Sequence, residues 1–177
     1  MASFNSIQSG RSMVEMLGVL AIIGVLSVAG IAGYSKAMAS FKRTKLIDQL
    51  SLVVANIRAA YANQPDYTGL TNTTVINMGL IEDDMKVITS NGTFSSNEIK
   101  NTYGGNVEIS KGAGTTFLIK ITQIPQDACA RIVTTDWGYH NNMGRIYINN
   151  AGSPQLDYLS EYCKAGGSTN TITMHHN

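Results

Sequence analysis

The sequence predicts an α+β fold in which one long N-terminal helix packs on an antiparallel sheet of about four strands. Two observations support this prediction. The first part of the chain has a helical pattern, initially apolar throughout and then amphipathic, with Pro65 as the first stop signal. The second part contains short segments of alternating apolar residues, separated by turn-forming residues, which is typical of antiparallel strands.

The helix begins with an apolar run from Met16 to Gly33, in which Ser27 is the only polar residue. A helix of these 18 residues is ~27 Å long, close to the ~30 Å hydrocarbon core of a membrane. No charge occurs between Glu15 and Lys36. The run therefore predicts a transmembrane helix. Glu15 places a carboxylate at the N-terminal end of this helix, and charges within a membrane are energetically unfavourable and usually functional.

The helical pattern continues beyond the apolar run, because no Gly or Pro occurs between Phe41 and Asn63. Apolar residues recur there at steps of three and four, which predicts one face packed on a globular domain. The residues of this predicted core face are Leu46, Ile47, Leu50, Val53, Val54, Ile57 and Tyr61. A single helix over 12–63 would be ~78 Å long, a length suited to the helical core of a filament.

A second, narrower apolar stripe lies on the opposite side of the same helix segment. It consists of Leu52, Ala55 and Ala59. Two interpretations are open, because such residues are either tolerated on a solvent-exposed face or contact a neighbouring subunit.

The remaining elements are predicted from alternation and turn signals. From Pro65 to about Gly105 the chain is rich in turn formers and predicts only a short helix, ended by Gly79, and a turn at Asn91-Gly92. Beyond it the pattern predicts strands over 106–110, 115–122, 145–149 and 171–175, and helices over 126–135 and 154–163.

Composition and side-chain spacing exclude several classes of function. A formal net charge of +1 gives no bias toward nucleic acid. The three histidines have no carboxylate or cysteine at metal-ligand spacing, and no catalytic constellation is present, so we predict no metal, cofactor or enzymatic activity. Cys129 and Cys163 follow the apolar run outside any C-x-x-C motif, which predicts a disulfide formed in an oxidising compartment.

Residues 10–15, Gly-Arg-Ser-Met-Val-Glu, followed at once by the apolar run, resemble the processing site of a type IV prepilin. The resemblance implies that a prepilin peptidase cuts after Gly10 and N-methylates Arg11. Glu15 then becomes the fifth mature residue, and its implied partner is the α-amine of Arg11 on an adjacent subunit.

The same resemblance divides the chain into three parts. Residues 1–10 form a leader peptide, and residues 11–35 form the half of the helix that crosses the membrane and builds the filament core. Residues 36–177 form the globular domain, which includes the amphipathic half of the helix.

A second group of residues is similar to the type IVb pilins, a subgroup that includes the toxin-coregulated, bundle-forming and conjugative thin-pilus pilins. It comprises 104–107 (Gly-Gly-Asn-Val), 117–121 (Phe-Leu-Ile-Lys-Ile), 124–129 (Ile-Pro-Gln-Asp-Ala-Cys) and a second cysteine before the final strand. The resemblance implies a precursor in the bacterial inner membrane that the pilus assembly machinery polymerises into an extracellular homopolymeric fibre. In this family the disulfide bounds a surface region that decides subunit contacts.

Other interpretations stay open at this point. A minor pilin or a type II secretion pseudopilin would share the N-terminal pattern. A secreted binding domain with a cleaved signal peptide is the alternative from another class, because Ala37-Met38-Ala39 offers a cleavage pattern before Ser40. Basic residues are more frequent after the apolar run than before it, which taken alone would place the C-terminal part in the cytoplasm, whereas the cysteines favour the opposite side.

Overall fold

The computed structural model describes residues 9–137, 146–150, 159–164 and 170–177. The chain separates into two compact units, with the boundary between Phe41 and Lys42. In chain order the elements are α1 (Ser9–Ala60), α2 (Asn72–Asn77), a 3-10 turn (Asp83–Met85), β1 (Lys86–Ile88), β2 (Phe94–Ile99), β3 (Val107–Lys111), β4 (Phe117–Ile124), α3 (Gln126–Thr134), β5 (Ile146–Ile148), α4 (Leu159–Tyr162) and β6 (Asn170–His176). The predicted α+β fold class is confirmed, since the chain contains the long helix α1 and a four-stranded antiparallel sheet.

Helix α1 is continuous over 52 residues, and therefore ~78 Å long. It ends three residues before the predicted position, where the amide of Gln64 already bonds to the carbonyl of Tyr61 in a turn that leads to Pro65. Proline cannot donate a backbone hydrogen bond, and it restricts the residue before it to extended conformations. Pro65 therefore ends the helix a few residues before its own position.

The larger sheet has the strand order β3-β4-β6-β5, and every neighbouring pair is antiparallel. Its apolar residues alternate as predicted, so that one face of each strand is buried. The buried side chains on this face are Val107, Ile109, Phe117, Ile119, Ile121, Ile146, Ile148, Ile172 and Met174. They belong to the same hydrophobic core as the buried residues of α1 between Leu46 and Ile57.

A hairpin of β1 and β2 forms a second, two-stranded sheet that the sequence did not predict. The turn at Asn91-Gly92 is present, with Gly92 at a φ of 77°, and it joins these two strands. Strand β1 has only three residues, and β2 reads Phe-Ser-Ser-Asn-Glu-Ile, in which apolar and polar residues do not alternate. The prediction of an irregular segment up to Gly105 was therefore wrong here, because periodicity cannot identify a short polar strand.

Asn72, the first residue of α2, holds β2 and β3 together. Its amide nitrogen donates to the carbonyls of Asn97 and Val107, at 3.0 and 2.9 Å, and its side-chain oxygen accepts from the amide of Ile109 at 2.7 Å. The side chain thus bonds to backbone groups of both strands, which fixes the hairpin to the larger sheet.

The predicted helices and strands after β4 are found with small changes at their ends. Helix α3 follows Pro125 and buries Ala128, Cys129 and Ile132. Half of the helix predicted over 154–163 lies outside the described residues, and the other half contains α4 (Leu159–Tyr162).

His176 is fully buried at the end of β6, where its ring stacks on Phe117 with the centroids 5.1 Å apart. Burial, together with the positive charges of Arg58 and His175, lowers the pKa of His176 from 6.5 to about 3. Between these values the unfolded chain binds a proton that the folded chain does not. Protonation of His176 therefore favours the unfolded chain. The free energy of unfolding keeps its full value above pH 6.5 and decreases as the pH falls toward 3.

We expect His176→Phe to weaken this acid sensitivity. Measured by denaturant unfolding of the full chain in detergent at pH 7 and pH 4, the native protein should lose roughly 3 kcal/mol more unfolding free energy than the variant. Carboxylates titrate in both proteins, so the difference between the two profiles isolates His176. Parallel profiles would contradict the assignment.

Candidate functional site

The apolar half of α1 is exposed along its whole length when only the described residues are considered. Every large apolar side chain from Met13 to Tyr34 is more than half exposed, from 52% at Ile23 to 71% at Ile31. The helix is long and apolar enough to cross a membrane, with a mean hydropathy of 2.4 over its most apolar 18 residues, none of which is buried. Because water-exposed apolar surface of this extent is unfavourable, this half requires lipid or other protein chains around it.

Glu15 is the one charged residue among residues 13–35, and its side chain is exposed. None of the ion pairs formed by the described side chains includes it. Ser27 is the only polar residue of the apolar run. Its hydroxyl donates a hydrogen bond to the carbonyl of Ile23 at 2.8 Å, within the same helix. Glu15 is thus the one charged group of residues 13–35, and it needs a partner from elsewhere once water is removed.

Gly10 and Arg11 lie in the first turns of α1, and the structure describes their backbone but not their side chains. Residues 1–8, which belong to the predicted leader, lie outside the described residues. Cleavage after Gly10, methylation of Arg11 and the pairing of its amine with Glu15 therefore stay predictions.

The amphipathic half of α1 places its predicted core face against the globular domain. Leu46, Leu50, Val53, Val54 and Ile57 are at most 4% exposed, and Ile47 and Tyr61 are partly buried beside them. Leu52, Ala55 and Ala59 face solvent on the other side, with 42% of Leu52 exposed. The helix thus presents one buried face and one face that none of the described residues covers.

Gln49 is a buried polar residue on this helix that the sequence analysis missed. Its amide nitrogen donates to Asp84 at 2.8 Å, and its side-chain oxygen accepts from the hydroxyl of Thr102 at 2.8 Å. Lys45, one turn earlier, forms an ion pair with the same Asp84. These contacts fasten the segment after α2 to α1, and the three-residue spacing from Leu46 was the available signal that Gln49 faces inward.

The predicted disulfide is present. Cys129 in α3 and Cys163 after α4 are bonded, with their Cα atoms 5.8 Å apart, and both are buried. The bridge ties the helix that follows β4 to the segment that precedes β6, and it encloses β5. About half of the enclosed residues, 138–145 and 151–158, lie outside the described part of the chain.

Two asparagines organise the backbone beside this bridge, and sequence reasoning gave no indication of them. Asn170 is fully buried; its amide donates to the carbonyls of Ile124 and Lys164, and its oxygen accepts from the side-chain amide of Asn149. Asn149 also donates to the carbonyl of Tyr162 and accepts from the amide of Thr171. The pair joins β4, β5, β6 and the chain around Cys163, so it positions the enclosed region on the sheet.

The described residues contain no group of three or more His, Cys, Asp or Glu that could hold a metal ion. The arrangement that stands out is structural: an uncovered apolar helix bearing one carboxylate, joined to a disulfide-bonded α+β domain.

Comparison with known proteins agrees with this arrangement. A protein-family model described as PilS N terminal matches residues 41–177, which is most of the chain. No curated protein matches the chain significantly.

Proposed function

Because this chain belongs to the PilS family of type IV pilins, we propose that it is a pilus structural subunit, cut after Gly10 and polymerised through its N-terminal helix. Proteins of this family are structural rather than catalytic. The observation that carries the proposal is the apolar half of α1, in which no side chain of the most apolar window is buried. In a fibre, the same half of neighbouring copies would cover it.

Glu15 would set the direction and the register of polymerisation. A carboxylate in lipid without a partner is unfavourable by a few kcal/mol. Opposite charges 4 Å apart at an effective dielectric constant of 20 attract by ~4 kcal/mol, before desolvation is subtracted. An incoming subunit would therefore gain most when its Glu15 meets the α-amine of Arg11 on a subunit already in the fibre.

Cleavage after Gly10 would be required before Glu15 can pair with Arg11. In the precursor, Arg11 has an uncharged peptide nitrogen, and the cation that Glu15 requires does not exist. Removal of residues 1–10 by a prepilin peptidase creates the ammonium. Precursors would therefore remain as single copies in the inner membrane until the peptidase has acted, and the assembly machinery would then extract them into the fibre.

The disulfide supports the side of the membrane on which the domain would lie. Disulfides form and persist in oxidising compartments such as the periplasm. The Cys129–Cys163 bridge therefore favours a globular domain outside the cytoplasm, despite the basic residues that follow the apolar run.

Two alternative functions can be tested by experiment. A minor pilin or a type II secretion pseudopilin would have the same helix and would be a scarce component of a fibre rather than its main subunit. A secreted domain with a cleaved signal peptide would begin at Ser40 and lack the apolar half of α1.

Mass spectrometry of surface fibres, purified and imaged by electron microscopy, distinguishes these possibilities. We expect this chain to be the main component, beginning at N-methylated Arg11, with two oxidised cysteines. A soluble protein beginning at Ser40, or a chain that keeps residues 1–10 and forms no fibre, would overturn the proposal. A trace amount in fibres of another subunit would indicate a minor pilin.

A further inference from the structure

Asn91 and Gly92 lie at the tip of the β1–β2 hairpin and are the one Asn-Gly pair in the sequence. Both residues are exposed. The turn is closed behind them by Thr89, whose amide donates to the carbonyl of Thr93 at 2.8 Å. The hairpin thus presents to water an asparagine whose next residue has no side chain.

The side-chain carboxamide of Asn91 takes part in no hydrogen bond among the residues that the structure describes. Other asparagines have side chains that are held by backbone carbonyls, namely Asn72, Asn101, Asn149 and Asn170. A carboxamide held in this way is kept from turning toward its own backbone. That of Asn91 is free to bring its Cγ atom toward the amide nitrogen of Gly92.

Gly92 makes the approach possible on the backbone side. A side chain on the following residue would crowd the attack of the backbone nitrogen on the Cγ atom, and glycine has none. The amide of Gly92 donates to the carbonyl of Thr89 at 2.9 Å, so this one bond must open before the nitrogen can react. Single bonds at an exposed hairpin tip open at a small cost in free energy.

We propose that Asn91 is a site of spontaneous deamidation in the folded protein. The backbone nitrogen of Gly92 loses its proton and attacks Cγ of Asn91; a C–N bond forms, and the side-chain nitrogen takes up the proton and leaves as ammonia. Water then opens the resulting five-membered succinimide at one of its two carbonyls, which gives either aspartate or isoaspartate. In sum, an amide and water become a carboxylate and ammonium, and no enzyme or oxidant takes part.

The modification would also change the hairpin. Both products carry a negative charge where the carboxamide was neutral, and isoaspartate adds one methylene to the main chain of the turn. That turn is held by the bond from Gly92 to Thr89 and by the amide and hydroxyl of Thr89, which both donate to Thr93. Strand β1 has only three residues, so a lengthened turn would loosen the hairpin, while the four-stranded sheet keeps its own ladder.

Incubation of the purified full chain in detergent at pH 8 tests the proposal. Peptide mapping by mass spectrometry should show a gain of about 1 Da at Asn91 that increases with time, and an isoaspartate-specific methyltransferase should label the same peptide.

Asn63 and Asn77 are controls within the same chain. Both are exposed, and their carboxamides are also without hydrogen bonds among the described residues, but they precede Gln64 and Met78. We expect at least tenfold less deamidation at these two positions than at Asn91. No gain at Asn91, or an equal gain at the two controls, would overturn the inference.

Asn91→Gln is the matched variant, because it keeps an exposed amide while attack by the Gly92 nitrogen would have to form a less accessible six-membered ring. Isoelectric focusing should show an acidic form that accumulates in the native protein and not in the variant. The rate should rise by about tenfold from pH 7 to pH 8, because the attacking nitrogen reacts after losing its proton. A rate that does not depend on pH would overturn the mechanism. The assay requires no fibre, so its result is separate from that of the proposed function.

Discussion

Glu15→Gln is expected to reduce fibre formation below detection while leaving the protein in the membrane at its normal level. The substitution keeps the shape of the side chain and removes its charge, so the attraction to the ammonium of a neighbouring Arg11 is lost. An attraction of ~4 kcal/mol corresponds to a change of about a thousandfold in an association constant, from which the desolvation of the pair is subtracted. Electron microscopy and immunoblotting of sheared surface fractions measure the outcome.

Glu15→Asp is the matched control, because it keeps the charge and shortens the side chain by one methylene. We expect it to retain part of the fibre yield. The N-terminus of the Glu15→Gln protein, read by mass spectrometry of the membrane fraction, separates assembly from processing, since a cut chain that does not assemble supports the pairing. A normal fibre yield from Glu15→Gln would refute it.

The parts of the fold with regular apolar spacing were predictable from the sequence. Residues 46–57 repeat at helical intervals, and β3, β4 and β6 alternate with period two, so their buried faces follow directly from the pattern. The disulfide was predictable for a different reason, because each of the two cysteines that follow the apolar run has one possible intramolecular partner. The types of residue and their spacing in the sequence were sufficient to predict these features.

The features that were missed depend on contacts between residues distant in sequence. Asn72, Gln49 and Asn170 are polar residues whose side chains satisfy backbone or side-chain groups 25 to 53 positions away. The β1–β2 hairpin consists of short, largely polar strands, and Asn72 attaches it to the larger sheet by bonding to Asn97 of β2 and Val107 of β3. No periodic pattern in the sequence corresponds to an arrangement of this kind.

The same limit applies to the candidate site. Glu15 and the apolar run are local in sequence and were found together, whereas the contacts of Gln49 were not, because Asp84 and Thr102 lie 35 and 53 positions away. Burial and these two partners, rather than residue type, distinguish Gln49 from the exposed polar residues of the same helix.

Replacing both cysteines, as Cys129→Ala/Cys163→Ala, is expected to destabilise the globular domain severely. The bridge spans a sequence separation of 34, and loop-closure entropy gives about 3.8 kcal/mol for a crosslink of this length. For a domain of this size the thermal midpoint should fall by roughly 10–15 °C. Near-ultraviolet circular dichroism of the full chain in detergent reports the unfolding of the domain separately from the melting of the apolar helix.

Alanine is the informative replacement because both sulfurs are buried, and a serine hydroxyl there would add an unsatisfied polar group to the loss of the crosslink. Reductant should lower the midpoint of the native protein by a similar amount and leave the double variant unchanged. The enclosed region contains β5, which is held on β6 along three residue pairs. If the double variant lost less than about 1 kcal/mol, the asparagine pair beside the bridge, and not the bridge, would be what holds this region on the sheet.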